Sequence, residues 1–264
     1  MDSHLDVDVR WLERGEGDAV MLLHGLMGQA QHWDEVLDAL SSGYRAIAPT
    51  LPIFDPHLRE CSIGQLAGFA VRLLDELGIE RATIGGNSLG GHVAIDIAFS
   101  YPARVSGLIL TGSSGLFERS FTRGVSHRPS AQYIREKMEE IFWNRQLVTP
   151  EWVESVRRAV TDTPTALRVL RFARSARRDN VELRLGTIAV PTLLVWGADD
   201  RITPLSVAER FHSLIPDAKL AVLPRCGHAP MLERPDDFAM IVERWLEETR
   251  LRRGGAPKPL GGRR

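Results

Sequence analysis

Apolar and polar positions change period repeatedly along the chain. Leu5–Leu12 alternates apolar with polar residues, the period of a half-buried strand. Ala19–Leu23 is a short unbroken apolar run ending at His24-Gly25, and Tyr44–Ala48 is another ending at Pro49. Ala82–Ile84, Gly107–Leu110, Thr192–Trp196 and Leu220–Leu223 repeat the pattern. Between these runs, apolar residues recur three and four apart, which predicts helices over Gln31–Leu40, Ile63–Leu77, Leu89–Phe99, Leu205–Leu214 and Pro235–Thr249. Unbroken apolar strands separated by helices imply a mostly parallel sheet with helices on both faces, an α/β fold.

That rhythm stops between Leu116 and Leu185. No strand is predicted there, but Thr149-Pro150 and Thr163-Pro164 each place a capping hydroxyl before a proline at the first helical position. Ala166, Leu167, Val169, Leu170 and Ala173 then form an apolar helical stripe. A strandless stretch of 70 residues is too long for an ordinary connection. Residues 116–185 are therefore expected to form an all-helical cap, or lid, inserted into a core made of 1–115 and 186–249. The Gly- and Pro-rich segment 250–264 is expected to be a disordered tail.

Composition changes this picture little. Hydrophobic residues make up 44% and charged residues 25%, as in ordinary globular proteins. The apolar runs fall far short of the roughly 20 residues that span a bilayer. The start, Met-Asp-Ser-His-Leu-Asp-Val-Asp, lacks the basic and apolar regions of a secretory signal. Cys61 and Cys226 fit no metal-ligand spacing and read as reduced thiols. A cytoplasmic protein without a membrane partner is expected. The net charge of −1 conceals an uneven distribution. Residues 116–185 carry 14 Lys/Arg against nine Asp/Glu, and 250–264 carry six against none. The remainder is acidic, which argues against nucleic acid as a partner.

Four turns carry candidate chemistry, each at the end of an apolar run. Gly86-Asn87-Ser88-Leu89-Gly90 is a GxSxG sequence between a predicted strand and helix. On that sharp turn a serine is held in a strained conformation with its Oγ exposed, and the Leu89 N–H sits at a helix N-terminus where a developing oxyanion is favoured. His24-Gly25-Leu26-Met27-Gly28 exposes further backbone donors, with Leu26 as the natural second oxyanion donor and Met27 as its fallback. Trp196-Gly197-Ala198-Asp199-Asp200 offers two carboxylates able to orient an imidazole. Arg225-Cys226-Gly227-His228 places a histidine in a glycine-flanked loop, free to act as a general base. A serine, then an acid, then a histidine, each at a strand end, is the chain order of hydrolase triads on α/β folds.

With these residues in view, the chain resembles the α/β-hydrolase superfamily from about Trp11 to Thr249, and within it the compact bacterial hydrolases with a helical cap. The resemblance rests on Gly-Asn-Ser-Leu-Gly-Gly-His (86–92), Trp-Gly-Ala-Asp-Asp-Arg-Ile-Thr-Pro (196–204) and Cys-Gly-His-Ala-Pro-Met-Leu-Glu-Arg-Pro-Asp-Asp-Phe (226–238). It implies a triad of Ser88, Asp200 and His228, an oxyanion hole from the Leu26 and Leu89 amides, and no metal or organic cofactor. It selects Asp200 over Asp199, which becomes a turn residue. A serine at the elbow excludes the aspartate-nucleophile dehalogenases and epoxide hydrolases of the fold. Many relatives carry Asp-x-x-Gly-x-Gly-x-Ser after the fourth strand, where this chain has Pro49-Thr50-Leu51-Pro52-Ile53-Phe54-Asp55-Pro56.

The expected reaction is hydrolysis of a small-molecule carboxylic ester through an acyl-enzyme, because it makes the fewest demands on a pocket. The alternative is hydrolysis of a carbon–carbon bond in ring-fission diketone acids, which the Asn-Ser and Cys-Gly-His wording resembles. A non-catalytic ligand receptor on the same fold is the third reading. His24, Met27, Trp33 and Asn87 are expected to border the substrate. His92 and Cys226 read as buried packing residues, and His32 as helix-surface packing or pocket lining. Arg168, Arg171, Arg174, Arg177 and Arg178 recur at helical spacing. The plain reading is a solvated face; the sharper one is that Arg174 or Arg178 pairs with a substrate carboxylate. The basic cap leans towards an anionic substrate.

Overall fold

The computed structural model describes residues 10–58, 60–117 and 129–254. Residues 118–128 of the expected cap, the start of the expected first strand and residues 255–264 of the expected tail lie outside them.

Seven strands form one sheet: β1 (Trp11–Arg14), β2 (Asp18–Leu23), β3 (Tyr44–Pro49), β4 (Ala82–Asn87), β5 (Val105–Thr111), β6 (Thr192–Gly197) and β7 (Ala218–Leu223). Their order is β1-β3-β2-β4-β5-β6-β7, parallel except for β1. The expected α/β class is what the chain adopts. Helices are α1 (Asp34–Leu40), α2 (Ile63–Glu76), α3 (Leu89–Ser100), α4 (Ala131–Glu139), α5 (Pro150–Thr161), α6 (Thr163–Arg178), α7 (Leu205–Leu214), α8 (Pro230–Glu233) and α9 (Pro235–Arg252).

Alternation within each strand divides the interior in two. Met21 and Leu23 of β2 join one apolar cluster with α2, α3 and α7, whereas Val20 and Leu22 join another with α1 and α9. In β6, Leu194 and Trp196 face the first cluster, and Leu193 and Val195 the second. Strands buried on both faces have no polar side, which is why they read as unbroken apolar runs.

Several boundaries shift by one to three residues, as at β4, β5, β7 and the start of α1, and those of β1 and α9 have identifiable partners. The described part of the first strand begins at Trp11 and continues to Arg14, past the apolar-polar alternation. Its polar end is held by partners: Arg45 reaches Glu13 at 2.7 Å, and Arg14 reaches Asp38 at 3.1 Å. At the other end, α9 runs to Arg252, three residues into the expected tail. Arg252 there pairs with Asp217 at 3.4 Å, beside a helix C-terminus that favours cations.

Between β5 and β6 the described residues form α4, α5 and α6 with two short 3-10 turns, and no strand. One of the two expected caps is present, Thr149 Oγ1 accepting the Trp152 amide at the start of α5. At the start of α6 the cap is Asp162 rather than the expected Thr163, since the Asp162 carboxylate accepts the Thr165 amide at 3.0 Å. Ile134, Met138 and Val153 pack into the α1–α9 cluster, and Phe172 and Ala176 into the α2–α3 cluster. No helix among the described residues is long and apolar enough to cross a membrane.

Candidate active site

After β2 the chain turns to β3 on one side, and β4 returns on the other, so the sheet's switch point lies between β2 and β4. Loops after these two strands therefore open on the crevice where α/β sheets bind ligands. Ser88 follows β4 and Gly25-Leu26 follows β2.

Ser88 has φ 55° and ψ −117°, a conformation that side chains rarely adopt. The surroundings enforce it. Its amide donates to Thr111 O at 3.1 Å, and its carbonyl accepts the amides of His92 and Ser114. A Cβ at Gly90 would stand 2.2 Å from Leu23 O, and one at Gly86 2.3 Å from the Gly90 backbone. Only bare backbone lets strand and helix approach this closely. The amides of Leu26 and Leu89 have no acceptor among the described residues.

His228 and Asp200 are both buried, and His228 Nδ1 lies 2.9 Å from Asp200 Oδ2. The Asp200 carboxylate also accepts the amides of Ile202 (2.8 Å) and Thr203 (2.9 Å) and the Thr203 hydroxyl (2.8 Å). Burial opposes its ionisation, but the His228 charge and hydrogen bond, with the two amides, outweigh that and hold its pKa below the usual carboxylate range. Asp199, the neighbouring candidate, is exposed and anchors its turn through its amide to Cys226 O. Thr203 is a partner of the acid that the motif reading did not single out, although it lies in the quoted run 196–204.

The residues expected to border a substrate divide into groups. His24 is 1% exposed, with Nδ1 on Gly25 O (2.8 Å) and Nε2 accepting the Leu51 amide (2.9 Å). Burial pushes its pKa down to about 4. It braces the turn carrying Leu26 and has no ring nitrogen left for a substrate. Trp33 is fully buried against Phe238, so it belongs to the core. The Asn87 amide donates to Thr111 O (3.1 Å) and His228 O (2.8 Å), tying the elbow to the histidine loop. Met27 is half-buried in its turn. His32 packs edge-on against Trp152. Arg174 and Arg178 line a groove with Cys61 that none of Ser88, Asp200 or His228 borders. His92 and Cys226 are fully buried, as expected.

Glu233, not singled out from sequence, accepts the amide of Gly227 at 2.6 Å and those of Trp143 (2.7 Å) and Asn144 (3.0 Å). Among the described residues no group of three or more His, Cys, Asp or Glu side chains is arranged to hold a metal ion.

A strained, half-buried serine, a carboxylate-bound imidazole and two amides without an acceptor among the described residues are the parts needed for attack on a carbonyl carbon. The chain is similar to known hydrolases. The 2-hydroxy-6-oxo-6-phenylhexa-2,4-dienoate hydrolase of Comamonas testosteroni is 32% identical over 92% of each chain. Among solved structures, an alpha/beta hydrolase enzyme from the metagenome of lagoon sediments at Mar Chica, Morocco, is 33% identical, covering 93% of this chain and 97% of that one, with a TM-score of 0.75. The meta-cleavage product hydrolase of Pseudomonas fluorescens IP01 is 29% identical, covering 91% and 94%, with a TM-score of 0.79. Residues 20–241 match the alpha/beta hydrolase family, and the chain belongs to that family and is a hydrolase.

Proposed function

We propose that the protein hydrolyses a carbon–carbon bond in a small acidic diketone of the 2-hydroxy-6-oxodienoate type, with Ser88 as nucleophile. The observation that supports it on the molecule is the buried Asp200–His228 pair at 2.9 Å, beside an elbow whose Asn87 is bonded to the His228 carbonyl. The bond type is argued from the relatives. The compound in the Comamonas testosteroni enzyme's name contains no ester or amide, so a hydrolase acting on it breaks a carbon–carbon bond next to the ketone.

In this reading His228 Nε2 takes the Ser88 proton, and Oγ attacks the ketone carbon. The Leu26 and Leu89 amides hold the oxyanion, and Asp200 keeps the imidazole tautomer and stabilises the imidazolium. As the carbon–carbon bond breaks, its electron pair goes to the departing carbon, which is conjugated with the remaining keto acid and takes the proton from His228. Water, activated by His228, then releases the acyl group from Ser88. Residues 116–185 act as the cap that excludes solvent, over a core of 1–115 and 186–249. Both cysteines are free thiols, in keeping with a cytoplasmic enzyme.

The test is loss of the coloured dienolate of a ring-fission substrate on adding enzyme, with Ser88→Ala as control. Turnover reduced about 10⁴-fold or more in the variant is expected. Undiminished turnover would remove Ser88 as nucleophile. Ester hydrolysis is the second reading, favoured by the placement of Arg174 and Arg178 in a groove that the triad does not border. p-Nitrophenyl butyrate cleaved faster than the dienolate would select it.

A further inference from the structure

Arg171, Arg174 and Arg178 follow one another at three- and four-residue spacing along α6 and form one stripe on its surface. None of the three has an ion pair or hydrogen bond to another described residue. Arg178 sits in the last turn of α6, where a cation is favoured, but like charges at these spacings repel along a helix.

All three side chains are exposed, along one edge of a shallow groove. The three side chains, with Cys61, Ser175 and Asp179, line a groove of about 570 Å³. One turn earlier, Arg168 donates to the carbonyls of Ile53 (3.1 Å) and Leu58 (3.2 Å). This holds α6 against the connection between β3 and α2, the connection that contributes Cys61 to the groove. Asp179 is the single carboxylate in the lining and is already engaged, by His92 at 3.2 Å and Arg184 at 3.1 Å. It leaves the three guanidinium groups unneutralised.

A second source of positive potential adds to theirs. Cys61 lies two residues before Ile63, the first residue of the 14-residue helix α2, so the positive end of that helix borders the groove. The Ser62 hydroxyl takes up only the Gln65 amide there.

We propose that this groove binds a small organic polyanion carrying two or more carboxylate or phosphate groups, at a site separate from Ser88. Seven residues of helix rise about 10 Å. Three guanidinium groups over that distance engage anionic groups at both ends of one molecule, each through paired N–H donors. A bound polyanion bridges α6 to the start of α2, and so fastens the helical segment to the sheet's flank. The inference does not rest on the reaction proposed for Ser88.

The experiment is thermal unfolding of the full chain against citrate and against pyrophosphate, with ionic strength balanced by sodium chloride. A saturable rise in Tm is expected with at least one of them, because a ligand that binds only the folded state stabilises it. The stronger of the two distinguishes carboxylate from phosphate recognition. In Arg171→Gln/Arg174→Gln/Arg178→Gln the half-saturating concentration is expected to rise tenfold or more. The three single substitutions, run in parallel, are each expected to raise it about threefold, which keeps the test decisive if the triple variant fails to fold. No saturable rise with either anion, or variants that respond like the parent, would overturn the proposal. A short DNA duplex that bound while both small anions had no effect would overturn it too, in favour of a nucleic-acid surface.

Discussion

Glu233 accepts the amide of Gly227 at 2.6 Å, and Gly227 is the residue immediately before His228. The other carboxylate oxygen of Glu233 accepts the amides of Trp143 and Asn144, in the segment between α4 and α5. The His228 amide itself donates to Ile141 O at 2.7 Å. The histidine loop and the inserted helical segment are therefore fastened to one another at two points. Burial raises the Glu233 pKa, against the opposing pull of the three amides.

Removing that carboxylate should disturb the base without emptying the binding site. Glu233→Ala is expected to lower kcat about tenfold and leave KM within about twofold, since a small displacement of a reacting group costs rate more than affinity. Glu233→Gln, which keeps an accepting oxygen, should recover part of the loss. Steady-state kinetics and the pH–rate profile check this. An unchanged profile with unchanged kcat in Glu233→Ala would reduce Glu233 to a packing role.

Gly112 tests the same loop from the other side. It has φ +52°, and a Cβ there would stand 2.7 Å from His228 Nδ1, the atom that meets Asp200. Gly112→Ala is expected to lower kcat/KM about 100-fold by displacing the imidazole. Circular dichroism of the variant should show intact secondary structure. Activity within threefold of the parent would mean that the loop can yield without consequence.

Asp200→Asn should preserve the fold and abolish most of the activity. Asn can still accept the Ile202 and Thr203 amides, but it loses the charge that stabilises the imidazolium. A fall in kcat of about 10⁴-fold is expected. Because Asp200 is held below the usual carboxylate range, the acid limb of the pH–rate profile should report His228. Full activity in Asp200→Asn would point to Asp199 instead.

His24 makes stability depend on pH. The unfolded chain takes up a proton there near pH 6.5, whereas the folded protein resists it down to about 4. Protonation thus favours unfolding across that window. The His24 contribution is fully present above pH 6.5 and lost progressively as the pH falls to 4. The total is about 3 kcal/mol, at 1.36 kcal/mol for each unit of pKa difference. Denaturant midpoints measured from pH 7 to pH 4 should show the decline, and His24→Gln should flatten it. Equal slopes in parent and variant would assign the decline to other groups.

The α/β class and the central strands were legible in the sequence because strands buried on both faces leave an unmistakable apolar run. Ser88, Asp200 and His228 stood out as candidates because each sits on a turn whose glycines and strand-end position are local features. Edge β1 was less so, since its end at Glu13 and Arg14 is set by Arg45 and Asp38, far along the chain. The end of α9 was misread for a similar reason, its last turn being supported by Asp217.

What the order of residues determined by itself was the alternation of elements and the chemistry available at each strand end. Only the tertiary structure decided which of those residues are free to act. His24 and Trp33 sit next to the expected site in sequence, yet folding commits one to Leu51 and the other to Phe238. Arg174 and Arg178 could have faced the serine, and the packing of α6 on the β3–α2 connection turns them to a groove with Cys61 instead. Glu233 gains its role from amides about 90 residues away. A hydrogen bond or an ion pair depends on distance in space, and apolar period and turn chemistry report only distance along the chain.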